Sequence, residues 1–195
     1  MKSAASIKGF TWVEMSIAIA VLVVVFAWLS LPTITIGPRG GPTAQVLSNM
    51  RQLHLATQQM TLDYQTTGES PARWTCSGTT PLSFDHWHKL LVPDYLSEKD
   101  FQKLLSVSKK GFWGTQKIEN ALTVFAVCEP DAPDTVFLAT KNWHPGVPKL
   151  SEPLFETKEF VIFHKGGDGA ILQARQTTAT NIIGGGGIHN FLPLK

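Results

Sequence analysis

Phe10-Thr-Trp-Val-Glu-Met-Ser-Ile-Ala-Ile-Ala-Val-Leu-Val-Val-Val-Phe-Ala-Trp-Leu-Ser-Leu31 is the stretch that decides how this chain is organised. Its 22 residues make a helix of about 33 Å at about 1.5 Å per residue, matching the roughly 30 Å hydrocarbon core of a bilayer. Trp12 and Trp28 fall near opposite ends, where indoles favour the membrane–water boundary. The leader before it, residues 1–9, carries Lys2 and Lys8 and no acid, which predicts a cytoplasmic N-terminus and an extracytoplasmic remainder. One residue breaks the apolar pattern. Glu14 is the only ionisable group in the span, and a charge at the bilayer centre costs about 2.5–3.5 kcal/mol, less near an end. A positive charge on a partner is the simplest way to offset that cost.

Three membrane readings compete. A secretory signal peptide has a basic leader, but a shorter apolar core and a small-residue cleavage site, and Ser30 to Thr33 offers no Ala-x-Ala pattern. A plain signal anchor explains length and orientation but leaves Gly9 and Glu14 without a role. The junction Gly9-Phe10-Thr11-Trp12-Val13-Glu14 resembles the processing site of type IV prepilins and of the pseudopilins of type II secretion systems. The resemblance covers about the first 32 residues, with Trp12 and Val13 where Leu and Ile are more usual. It implies that a prepilin peptidase cuts between Gly9 and Phe10 and N-methylates Phe10. It also implies that Glu14 acts in assembly. Cutting creates a cationic amine at Phe10, and in a bundle of such stems Glu14 of one subunit neutralises the Phe10 amine of its neighbour. The pair is strong because the surroundings are of low dielectric, and either charge left alone there is costly. Glu14 then sets the axial register between subunits.

Beyond the span, residues 32–42 hold Pro32, Pro38 and Pro42 together with Gly37, Gly40 and Gly41. These residues disfavour a helix, so the segment reads as a break, either a plain linker or a joint that lets the stem straighten. A stem helix over 43–65 follows, with Thr43 as N-cap and Gly68 as terminator. Val46, Leu47, Met50, Leu53, Ala56, Thr57, Met60 and Tyr64 mark its buried face at three- and four-residue spacing. His54 and Leu55 fall beside that stripe, which predicts a solvated or half-buried imidazole. Asn49-Met-Arg-Gln-Leu-His-Leu-Ala56 is similar to the stem of a large bacterial group of prepilin-type proteins.

Residues 66–176 read as a mixed α/β region. Short helices are expected at Phe84 to Leu91 and at Ser97 to Val107, the latter with Ser97 as N-cap. Strands are expected at Leu122 to Cys128, Thr135 to Thr140, Glu159 to Phe163 and Ala170 to Ala174. The last two flank the hairpin turn His164-Lys-Gly-Gly-Asp-Gly169. Residues 177–195, with four glycines at 184–187, read as a mobile tail. The expected fold is therefore α+β and pilin-like: a transmembrane helix at 10–31, a break, and a globular domain at 43–195 in which an amphipathic stem packs on a small antiparallel sheet.

The chemistry-bearing residues are few. Cys76 and Cys128 are the only cysteines, and on the extracytoplasmic side they either close a disulfide or remain two buried thiols. A bridge would restrict the unfolded chain by about 4 kcal/mol. His86 and His88 would share one side of a strand, but His144, His164 and His189 are scattered, and no tight ligand pattern completes a zinc site. Asp168, Asp131 and Asp134 are turn residues or calcium ligands of the kind some pseudopilins carry in acidic loops. No nucleophile elbow, P-loop or dinucleotide fingerprint occurs, so no catalytic residue, enzyme activity or cofactor is expected. The net charge is +2, and residues 32–195 carry fifteen Lys and Arg against fourteen Asp and Glu, so no nucleic-acid partner is expected. The expected partners are other pilin or pseudopilin subunits, prepilin peptidase, the inner-membrane assembly machinery and membrane lipid. The rival expectation is a single-pass anchored domain that binds a ligand or metal without polymerising.

Overall fold

Helix α1 (Pro42–Thr67) begins at a proline. Proline suits the first helical position, where the missing N–H would have no partner in any case. Gly41 is the N-cap and no side chain caps the end, so Thr43 is not the cap but a buried residue of the first turn. Gly68 ends α1 in the left-handed conformation (φ 72°), its N–H donating to the Tyr64 carbonyl at 2.9 Å. Val46, Met50, Leu53, Ala56 and Met60 form the buried face, and Thr57 and Thr61 join it by donating their hydroxyls to the carbonyls one turn back. His54 is only 4% exposed, which corrects the expectation of a solvated or half-buried ring.

The computed structural model describes residues 41–68, 74–111, 114–151, 154–155 and 158–195, which fall in one compact unit. The predicted leader, the span at 10–31 and residues 32–40 of the break lie outside them. Among the described residues no helix is long and apolar enough to cross a membrane.

In chain order the strands are β1 (Cys76–Ser77), β2 (Thr80–Pro81), β3 (Val107–Gly111), β4 (Gly114–Ile118), β5 (Leu122–Val124), β6 (Val136–Thr140), β7 (Glu159–His164) and β8 (Gly169–Gln173). β1–β2 and β3–β4 are separate antiparallel hairpins, and β5-β6-β7-β8 form one antiparallel sheet. The fold is thus α+β with small antiparallel sheets. α1 packs on β7 and β8. Helices α2 (Phe84–Leu91) and α3 (Glu98–Leu105) flank α1, each started by a serine whose hydroxyl accepts a backbone N–H: Ser83 from His86 and Ser97 from Asp100. α3 ends at Leu105, and Val107 already belongs to β3.

Alternation along β7 supplies both faces of the sheet. Val161 and Phe163 enter the core shared with α1, while Phe160 and Ile162 enter a second cluster. A register shift in β6 between Val136 and Leu138 breaks the alternation, so Phe137 and Leu138 both join the α1 core. The second cluster is closed by the C-terminal segment. There Trp143 stacks on Phe160 at 5.9 Å, with Phe191 and Ile183 alongside.

That segment corrects the mobile-tail expectation. After a short helix α4 (Thr180–Ile183), the Gly185 carbonyl accepts from Val136 N, the Leu192 carbonyl from Ala126 N, and Leu194 N donates to the Val124 carbonyl. The segment straps one face and the β5 edge of the sheet. The glycines that suggested a mobile tail serve close approach instead. A Cβ on Gly184 (φ 82°) would collide with the Asp134 carbonyl, and one on Gly187 (φ 62°) with the Asp131 carboxyl.

Candidate functional site

The residues that carry the assembly prediction, Gly9, Phe10 and Glu14, lie outside the described residues. What the structure builds is a polar junction where α1, the β7–β8 turn, the loop 129–135 and the strap meet. β7 ends at His164, so the turn projects Lys165 back across the domain. Its ammonium donates to the carbonyls of Glu129 (2.6 Å) and Asp131 (2.7 Å) and lies 5.5 Å from the Trp74 ring centre. Burial lowers the pKa of Lys165, and the nearby Glu129 and Asp131 charges oppose that shift. The acidic loop is therefore served by an internal cation.

Asp131 is the hub of the loop. It is 7% exposed; Oδ2 accepts from Cys128 N at 2.7 Å and Oδ1 from Ile188 N at 2.8 Å. Both carboxylate oxygens are thus committed to backbone donors. Asp134 is exposed, and Asp168 points instead to His164, with Oδ2 2.7 Å from Nδ1. The three aspartates do not converge on one point: Asp131 is a turn residue that also ties the strap, and Asp168 braces the hairpin. His164 Nε2 lies 2.8 Å from the Ile183 carbonyl, adding a second tie to the strap.

His54 projects from α1 into the same junction. Its Nε2 meets the Lys165 carbonyl at 2.8 Å, and because a carbonyl only accepts, Nε2 is the donor. Trp74, Phe137 and Phe163 surround the ring at 5.2–6.2 Å between centres. Burial lowers the His54 pKa below 6.5, opposed by the hydrogen bond to Lys165 and the Asp168 charge. The junction as a whole locks α1 to the hairpin and to the strap. Lys165 and His54 each have partners that hold them in place.

Cys76 and Cys128 are joined in a disulfide, with Cα atoms 5.1 Å apart. The bridge ties β1 to the segment after β5. His86 and His88 lie on α2 and not on a strand, so two-residue spacing turns them to different sides. His88 Nε2 sits 2.8 Å from Glu98 Oε2, linking α2 to α3. A hydrogen bond from Gln102, and then His88, holds the Glu98 carboxyl below its ordinary range. His144 and His164 do not join them. His189 lies beside the disulfide instead, with one ring nitrogen and both sulfurs within 4.8 Å of one another. The sequence separations of 61 and 113 residues left no signal of this neighbourhood.

A cavity of about 430 Å³ opens beside β5. Leu105, Leu122, Val124 and Leu194 line it, with Lys141 and Lys195 among its polar residues. Its size falls within the range of small-molecule sites, about 300–1,000 Å³.

The fold and junction define an α+β domain in which a long helix is clamped along an antiparallel sheet. The chain matches no protein-family model, no curated protein and no solved structure.

Proposed function

We propose that the chain is a pilin-like structural subunit, cut after Gly9, N-methylated at Phe10, and assembled through its apolar stem into a type IV pilus or a type II secretion pseudopilus. The observation that carries this reading is the junction itself: a short basic leader ending in Gly9, then Phe10, then Glu14 four residues on, at the head of a membrane-length apolar span. The described domain is compatible with it. A 26-residue helix follows the Gly/Pro break directly and packs on an antiparallel sheet, which is how a stem enters a globular head in pilin-like proteins. A disulfide and a strapped sheet edge suit a head exposed outside the cytoplasmic membrane. Glu14→Ala separates processing from assembly. It leaves cleavage at Gly9 largely intact and abolishes incorporation into filaments. Normal filaments from Glu14→Ala would refute the pairing of Glu14 with a neighbour's Phe10 amine.

A second reading rests on the cavity beside β5, whose apolar lining and two lysines suit a small amphipathic anion. In that reading the chain is an anchored ligand-binding domain that does not polymerise.

A further inference from the structure

β5 is an edge strand of the four-stranded sheet, and the strap covers only part of its outer side. Along an antiparallel strand, successive residues turn their backbone groups to opposite neighbours. The Ala121 carbonyl accepts from Lys141 N at 3.0 Å, and Phe125 N donates to the Phe137 carbonyl at 2.8 Å, so residues 121, 123 and 125 face β6. Leu122 and Val124 therefore turn their N–H and C=O groups outward. Leu194 N donates to the Val124 carbonyl at 2.9 Å. The strap then leaves the edge, because Lys195 O accepts from Phe84 N on α2 at 2.8 Å. At the start of the strand, Ala121 N donates to the Leu105 carbonyl at 2.8 Å. Between these ties, the N–H groups of Leu122 and Val124 and the Leu122 carbonyl have no partner among the described residues.

The 430 Å³ cavity opens onto this gap. Leu122, Thr123 and Val124 all line it. Consecutive strand side chains point to opposite faces, so a cavity that meets three in a row runs along the strand edge. Phe84, Leu105 and Leu194 give it apolar walls. Lys141 and Lys195 supply its charges, no acidic residue is among those lining it, and neither amine is in an ion pair among the described residues. A small anion would answer the lysines but leave the three backbone groups unpaired, and an unpaired buried backbone group is costly. An added strand answers both.

We propose that the β5 edge is a strand-addition site for an extended peptide segment in which acidic residues alternate with apolar ones. The segment donates one N–H to the Leu122 carbonyl and offers carbonyls to Leu122 N and Val124 N. Its apolar side chains enter the cavity, and its carboxylates meet Lys141 and Lys195. Main-chain bonds supply affinity in this mode, and the pockets for alternate side chains supply specificity. The assignment uses the cavity of the second reading, but it holds whether or not the chain polymerises.

The test titrates the full chain in mild detergent with terminally blocked fluorescent heptapeptides that alternate glutamate with valine, leucine or phenylalanine. At least one of them saturates a single site, and its binding weakens as salt rises. Bound peptide slows hydrogen exchange at Leu122 and Val124 by at least about tenfold. Octanoate, a small amphipathic anion, leaves that exchange unchanged. N-methylation of alternate peptide amides separates backbone from side-chain recognition. In one of the two possible registers it weakens binding by at least about tenfold, and in the other it leaves binding nearly intact. Lys141 is exposed, so Lys141→Glu unfolds like the parent. This variant loses affinity for the glutamate peptides and gains it for peptides with lysine in their place. The proposal is overturned if no peptide saturates at millimolar concentration or if both methylated registers bind like the parent peptide. It is also overturned if the amides at 122 and 124 stay unprotected by peptide, or if octanoate protects them and the peptides do not.

Discussion

Replacing Asp131 with alanine tests how the strap is held. The carboxylate accepts two buried backbone N–H groups, Cys128 at 2.7 Å and Ile188 at 2.8 Å, and it is 7% exposed. Hydrogen bonds to a charged group contribute about 1.5–3 kcal/mol each, and orphaning a buried donor carries a full desolvation cost. Releasing the carboxylate to no longer be buried offsets part of that, so the expected net loss is about 3–4 kcal/mol. For a chain of this size one kcal/mol moves the midpoint by about 2–4 °C, which places the fall near 10 °C. Asp134→Ala is the internal control. Its side chain is exposed, although the sequence presents the two aspartates as equals, and it should shift stability by no more than about 0.5 kcal/mol. The assay is thermal unfolding of the full chain in detergent by near-ultraviolet circular dichroism, which sees the Trp143 face, with hydrogen exchange at Cys128 and Ile188. Equal midpoints for the two variants, or amides at 128 and 188 that stay protected in Asp131→Ala, would refute the hub assignment.

The remaining predictions concern the α1 core and the junction. Trp87 is fully buried, but its Nε1 has no hydrogen-bond partner among the described residues, so Trp87→Phe should cost much less than Trp87→Ala, which should lose about 3–5 kcal/mol by denaturant titration. His54 has a folded-state pKa below its unfolded 6.5, so the unfolded chain binds the extra proton. Its contribution is complete above about pH 6.5 and fades as pH falls through the folded value, and His54→Gln should flatten that part of the stability–pH curve. An unchanged curve in His54→Gln would remove His54 from the junction's titration.

Much of the fold is written locally in the chain. The spacing from Val46 to Met60 specifies α1, Ser97 with Asp100 specifies the start of α3, and Gly166 to Gly169 specify the β7–β8 turn. The β3–β4 hairpin was not legible, because Val107-Ser-Lys-Lys-Gly111 and Gly114-Thr-Gln-Lys-Ile118 carry almost no apolar alternation. The strap was not legible because Gly185, Leu192 and Leu194 are tied by backbone bonds to Val136, Ala126 and Val124, 49, 66 and 70 positions away, and its glycines look the same in a mobile tail and in a tight crossing. His54 was misjudged because its partner, the Lys165 carbonyl, is 111 residues distant. The junction and the His189 neighbourhood are likewise products of tertiary contact. Gly9, Phe10 and Glu14 are the reverse case, legible in sequence and outside the described residues.

The most direct test of the assembly account is the mass and N-terminal sequence of the chain made in a host with prepilin peptidase. The account predicts a chain beginning at an N-methylated Phe10. A mature chain still beginning at Met1 would contradict it.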